Sequence, residues 1–179
     1  MPTPPTFTAY TPLTAAQLNQ AGLWLVKTQT VGSGVSSVTV SSCFSADYDN
    51  YLVTVDNVDC SATDILTYLT FPTSSGSVYF YSYLAYSMAG ANGSGFLNGG
   101  TVGLACGLTA PNNNMSQAIT LYDPFKSSYT VMNTQSMGEN FFLLGGAVHR
   151  QASSQTGFTL TAGSGTMTGG TIRVYGYRN

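Results

Sequence analysis

Charge is what this sequence has least of. Lysine, arginine, aspartate and glutamate together make up 7% of its 179 residues, against about 25% in an ordinary domain. The shortage is not that of a disordered chain, which couples low hydrophobicity to high charge, because 43% of the residues are hydrophobic. A folded chain with so few charges is poorly protected against self-association. The composition therefore predicts a protein that spends its life inside an assembly. Its five cations, Lys27, Lys126, Arg150, Arg173 and Arg178, are scattered. No basic stripe exists to neutralise phosphates, so nucleic acid is not an expected partner. No apolar run approaches the ~20 residues of a membrane helix. The opening Met1-Pro-Thr-Pro-Pro5 lacks the charged start and apolar block of a secretory signal. Folding in a cytoplasm, with no membrane partner, is the expectation.

Cysteine and histidine are as scarce. Cys43, Cys60 and Cys106 are an odd number, and none sits in a C-x-x-C pair. They are expected to be buried apolar thiols, with neither disulfide nor zinc. The single histidine, His149, limits nucleophilic catalysis, because a triad needs a nucleophile, a base and a carboxylate. Its nearest acid in sequence is Glu139, across a hairpin expected at 138–140, and no G-x-S-x-G is present. No catalytic residue is assigned, and no cofactor or metal is expected.

Two features imitate ligand sites. Six glycines fall within 88–103, which reads as a long irregular loop of the kind that often carries function. It has neither the lysine nor the following helix of a phosphate cradle. Asp47 and Asp49 flank Tyr48, with Asp56, Asp59 and Asp64 close behind. They lack the glycine and closing glutamate of an EF-hand calcium loop. Glycoside hydrolysis needs two carboxyls facing each other at roughly 5–10 Å. Turn chemistry explains the same residues, since aspartate and asparagine bond their own backbone. Whether Asp47 and Asp49 hold a cation is left open by the sequence.

What the chain does contain is β-structure. Residues 1–12 hold Pro2, Pro4, Pro5 and Pro12, and so form an extended arm rather than a sheet. Residues 14–23 predict one short helix, with Thr14 as N-cap, Gln17 completing a capping box and Gly22 ending it. From Trp24 onward Thr, Ser, Val and Tyr dominate and the pattern alternates. Strands are predicted over 24–31, 35–40, 51–56, 65–71, 78–86, 102–108, 118–122, 129–137, 141–149, 158–162 and 171–177. Turn residues separate them and no helical pattern intervenes. The expected fold is all-β, an antiparallel sandwich or jelly roll over residues 24–179, preceded by an arm and short helix over 1–23.

Aromatic residues then point to surfaces. Tyr79, Tyr81 and Tyr83 alternate and share one strand face, while Val78, Phe80, Ser82 and Leu84 share the other. Two apolar faces on one strand mean that both are covered. Three readings stay open: a subunit interface, a sugar-stacking platform, or burial within the fold. Tyr175 and Tyr177 near the C-terminus join them as expected interface residues. In the arm, Pro4, Pro5, Phe7, Tyr10, Leu13 and Leu18 are the expected docking residues.

Three stretches carry a resemblance. Leu13-Thr-Ala-Ala-Gln-Leu-Asn19 follows the proline-rich arm. Phe44-Ser-Ala-Asp-Tyr-Asp-Asn-Tyr51 leads into Leu52-Val-Thr-Val55. Gly169-Gly-Thr-Ile-Arg-Val-Tyr-Gly-Tyr177 ends the last strand. Together they resemble segments of the surface proteins of tailed-bacteriophage virions. They span under a fifth of the chain and contain no catalytic motif. The resemblance implies a structural or adhesive virion protein, assembled in the host cytoplasm and often trimeric. Its partners would be other phage structural proteins, such as the major capsid protein or tail components. A capsid decoration or cement role leads, and a tail-associated short fibre binding host glycan is the alternative.

Overall fold

The computed structural model describes residues 22–62, 65–87, 94–101, 103–109, 114–139 and 141–177. The arm residues Pro4, Pro5, Phe7, Tyr10, Leu13 and Leu18, and nearly all of the expected helix, lie outside them. Leu23, the helix's expected last residue, instead opens the first strand, just after Gly22 at φ 104°.

Among the described residues there is no helix. The strands run in chain order: β1 Leu23–Thr30, β2 Ser37–Val40, β3 Asn50–Cys60, β4 Ile65–Thr70, β5 Tyr79–Ser87, β6 Ser94–Thr101, β7 Leu104–Thr109, β8 Met115–Tyr122, β9 Thr130–Met137, β10 Phe141–His149, β11 Phe158–Ala162, β12 Met167–Thr168 and β13 Thr171–Tyr177. They form two antiparallel sheets. The large one has the order β1-β13-β3-β8-β9-β10-β5-β6, with β12 also paired to β3. The small one has the order β2-β11-β4-β7. Every predicted strand is present. Two are additional: the two-residue β12, too short to leave a pattern, and β6.

β6 corrects the reading of 88–103 as one irregular loop. Its eight residues pair antiparallel with β5, Gly99 opposite Phe80 and Gly95 opposite Leu84. The glycines are there for close approach rather than flexibility. A Cβ at Gly99 would sit 2.6 Å from Phe80 Cδ1, and one at Gly95 would sit 3.2 Å from Leu84 Cδ2. Side chains of β5 thus lie across the bare backbone of β6.

The alternating pattern sorts each strand of the large sheet onto two faces. The inner face meets the small sheet, chiefly through β7, which crosses β8, β9, β10 and β5. Between the sheets lie Tyr51, Val53 and Val55 of β3, Ile119 and Leu121 of β8, Met132 of β9, Leu143 of β10, Ile172 and Val174 of β13, and Leu69, Leu104 and Leu160 from the small sheet. All twelve are fully buried. Burial of such side chains stabilises by about 1.5–3 kcal/mol each relative to exposure.

Two of the stretches quoted above are neighbours in this core. β3 pairs with β13, Tyr51 opposite Gly176 and Val53 opposite Val174. The Tyr51 hydroxyl donates to the Ser45 carbonyl at 3.0 Å and accepts from the Ser45 amide at 2.8 Å. Its ring packs edge-on against Phe44 at 4.7 Å and Tyr48 at 5.8 Å. The Tyr48 ring in turn lies flat over Gly176, occupying the space a Cβ would need.

Gly176→Ala therefore forces either the Tyr48 ring or the β13 backbone to move. The expected loss is about 1–3 kcal/mol of unfolding free energy, read from urea denaturation. An unchanged midpoint would contradict this packing.

Candidate functional site

The expected interface residues fall on opposite faces of the large sheet. Tyr79, Tyr81 and Tyr83 point inward and are only 3%, 7% and 8% exposed. Their rings fill the core beside β4 and β7. Tyr81 stacks on Tyr83 at 5.9 Å and meets Tyr68 at 6.4 Å. Burial pushes the Tyr68 hydroxyl up to about 12 and raises that of Tyr83. Both the subunit-interface and the sugar-platform readings of these three tyrosines are thereby corrected. Burial within the fold was the reading that holds, because the small sheet is what covers their face. Tyr175 and Tyr177 point the other way, half-buried and exposed respectively.

That other way is the outer face of the large sheet, and no described element covers it. Ten large hydrophobic residues are exposed in the described structure. Nine of them, all but Tyr129, stand on this face: Leu23, Leu25, Leu84, Tyr86, Tyr122, Val131, Met137, Leu144 and Tyr177. Phe80, Phe142 and Val148 stand among them, half-buried. The strand pairing fixes their rows. Leu84 is opposite Leu144, and Tyr86 and Met137 are both opposite Phe142. Tyr122 is opposite Val131, which is opposite Val148, which is opposite Phe80. Monomeric proteins rarely leave contiguous apolar patches of more than a few hundred Å² uncovered.

The face is also nearly uncharged. Among the described outward side chains of its strands, the ionised ones are Asp56 and Arg173, and these pair with each other at 2.6 Å. At the end of β10, Arg150 lays its guanidinium over the Phe80 ring, 4.1 Å from the centroid. Beside it Gly146, Ser82 and Gly99 floor a shallow hollow of about 530 Å³, walled by Phe80 and Val148.

The other candidate residues have structural partners. Lys126 sits between Asp49 and Asp123, at 3.0 and 2.7 Å. Hydrogen bonds to Asp123 and Asp49 raise its pKa. An ammonium thus already neutralises Asp49. Asp47 accepts from the Ser45 hydroxyl at 3.0 Å, and Asp59 accepts from the Asn114 amide at 2.9 Å. Each of the three thus has a structural partner, a local turn bond for Asp47 alone, and among the described residues no group of acids, cysteines and histidine could hold a metal ion. The three cysteines are buried and unpaired, with Cys43 and Cys106 pushed up to about 12 by burial. Those two are protonated, inert thiols.

His149 is fully buried at the end of β10, flanked by the rings of Tyr79 at 4.9 Å and Phe71 at 5.1 Å. A hydrogen-bond chain reaches it. The Phe71 amide donates to the Tyr79 hydroxyl at 2.8 Å, which donates to Ser74 Oγ at 2.5 Å, and Ser74 Oγ lies 2.9 Å from His149 Nε2. Sequence reading missed Ser74, which no motif marks and which the fold alone brings beside the histidine. The pair looks like part of a hydrolytic site, but its surroundings do not complete one. Nδ1 has no hydrogen-bond partner. Glu139 lies at the opposite end of β10, roughly 26 Å away at the rise of a strand. The amides of Ser74 and Ser75, which could steady an oxyanion, already bond Phe71 O and Gln151 Oε1. The chain of bonds ties the 71–75 turn to β10.

Compared with known proteins, the chain matches no family model, no curated protein and no solved structure.

Burial lowers the His149 pKa below its ordinary 6.5. The unfolded chain therefore binds a proton that the folded chain resists, and stability is fully present above pH 6.5. It falls as pH drops from there toward the folded pKa and levels off below it. Urea midpoints should follow this course above the carboxylate range of about pH 4–5. In His149→Gln the slope in this window should vanish, and a persisting slope would assign it elsewhere.

Proposed function

We propose that the chain is a non-enzymatic structural protein of a tailed-bacteriophage virion, a decoration or cement protein that binds the outer capsid and reinforces it. The two sheets, on this reading, form a sandwich of the jelly-roll kind. The observation that carries the proposal is the uncovered outer face of the large sheet. A broad, nearly uncharged surface of leucines, aromatics and neutral polar residues such as Asn133 and Gln135 suits lasting contact with protein. Cement proteins act through such burial, not through chemistry. Two of the stretches that carry the resemblance, Phe44–Val55 and Gly169–Tyr177, meet where β3 pairs with β13. Residues 1–23 would dock on the capsid, and the β body would hold the copies together as a homotrimer. The short-fibre alternative loses the tyrosine ladder on which its glycan platform was built.

Virions lacking the chain should lose resistance to heat and to low salt, and should regain it when purified protein is added back. Particles equally stable with and without it would remove the cement role.

A further inference from the structure

The outer face of the large sheet has to be covered by something of matching character. We propose that it is the surface on which a second copy of this chain docks, with the Leu84–Leu144 ridge of one copy seated in the hollow of the other.

Three properties of the face select that occupant. The first is its charge. Asp56 and Arg173 neutralise each other within the face, and the one other cation on it, Arg150, lies against the Phe80 ring at its edge, so a second copy meets little like-charge repulsion there. A strongly charged partner would find only Arg150, at the edge of the face, to pair with and would leave its other charges desolvated. The second is its extent. Eight strands about 4.8 Å apart, each about 26 Å long, give a face of roughly 900 Å². A standard stable interface buries about 800 Å² per partner, so the face is large enough to hold a complex by itself.

The third is its relief. Leu84 and Leu144 are directly opposite each other and 46% and 51% exposed, so they stand up as a ridge. Two residues along the same strands, Ser82 is opposite Gly146. With Gly99 these form the floor of the hollow. Ridge and hollow are therefore about 7 Å apart on one patch, and any second copy supplies both together. The hollow is walled by Phe80 and Val148 and offers few hydrogen-bonding groups, so it fits an aliphatic side chain better than a sugar, whose hydroxyls would go unpaired. The face that the tyrosine ladder was expected to provide is thus supplied by the alternate residues of the same strand.

The inference deepens the reading of the chain as part of a multimeric assembly and takes its occupant from that reading. Its test is the association state of the full chain at micromolar concentration, by analytical ultracentrifugation. Wild type should sediment as an oligomer. Leu144→Glu and Leu84→Glu each place an unpaired carboxylate in the contact and should weaken association about a hundredfold or more. Both positions face solvent in the single chain, so at a dilution where wild type is monomeric their unfolding midpoints should match its own, which separates lost association from lost folding. Ser33→Glu, an exposed site in the turn after β1, should leave association unchanged. A monomeric wild type would overturn the inference, whatever then covers the face, residues 1–21 of the same chain included. So would an oligomer indifferent to both glutamates. Monomeric variants that still bind and stabilise capsids would leave this inference standing and show that docking uses another surface. An oligomer that binds no capsid would sink the virion role and not the interface.

Discussion

Eight long strands, with the short β12, make one sheet in this molecule, and among the described residues four short strands remain to cover it. That imbalance governs the rest. A sheet with apolar residues on both faces needs two covers, and the small sheet can lie on only one. Its β7 crosses β8, β9, β10 and β5, and what it covers becomes core: the Tyr79–Tyr83 ladder, Met132 and Leu143. The opposite face keeps leucines, aromatics and a methionine in water. The low charge of the sequence and the uncovered sheet express one condition. A surface meant for burial cannot carry the charges that would keep it apart from other proteins.

Much of this was legible in the residues. Alternation located all eleven predicted strands, because half-buried antiparallel strands write their pattern directly into sequence. The same alternation in 171–177 puts Ile172 and Val174 on the buried face and Arg173, Tyr175 and Tyr177 on the other. What alternation cannot say is which face is inward when both are apolar. β5 is the case in point. Tyr79, Tyr81 and Tyr83 are larger and more polar than an average core side chain, and so looked like an interface. The fold buries them beneath the small sheet, and at Gly145 of β10 a Cβ would sit 3.0 Å from Tyr83 Cβ, so the bare backbone there leaves that side chain room. Phe80, Leu84 and Tyr86, on the opposite face of the strand, are the ones left outside.

Glycine misled for a related reason. In 88–103 its density imitates a loop, and turn-forming and sheet-packing glycines are identical as letters. The difference lies in the partner strand. Gly95 and Gly99 matter because Leu84 and Phe80 lie across them, a relation that exists only once β5 and β6 are paired. The Ser74–His149 contact was invisible for the same reason, since 75 residues separate them. Asp47 and Asp49 were readable as turn residues. The lysine that neutralises Asp49 was not, because it comes from the turn between β8 and β9.

The central claim is that the outer face of the large sheet is buried against protein when the molecule does its work. Methionine oxidation reads this from within one chain. Met137 stands on that face and is 49% exposed, while Met115, Met132 and Met167 are fully buried in the core. Under mild peroxide, with peptide mass spectrometry as the readout, Met137 should oxidise as slowly as the core methionines in the assembled protein. It should become fast when the protein is diluted to monomer. Oxidation of Met137 at the rate of a free methionine in the assembly would show that the face stays open to water, and would contradict the account.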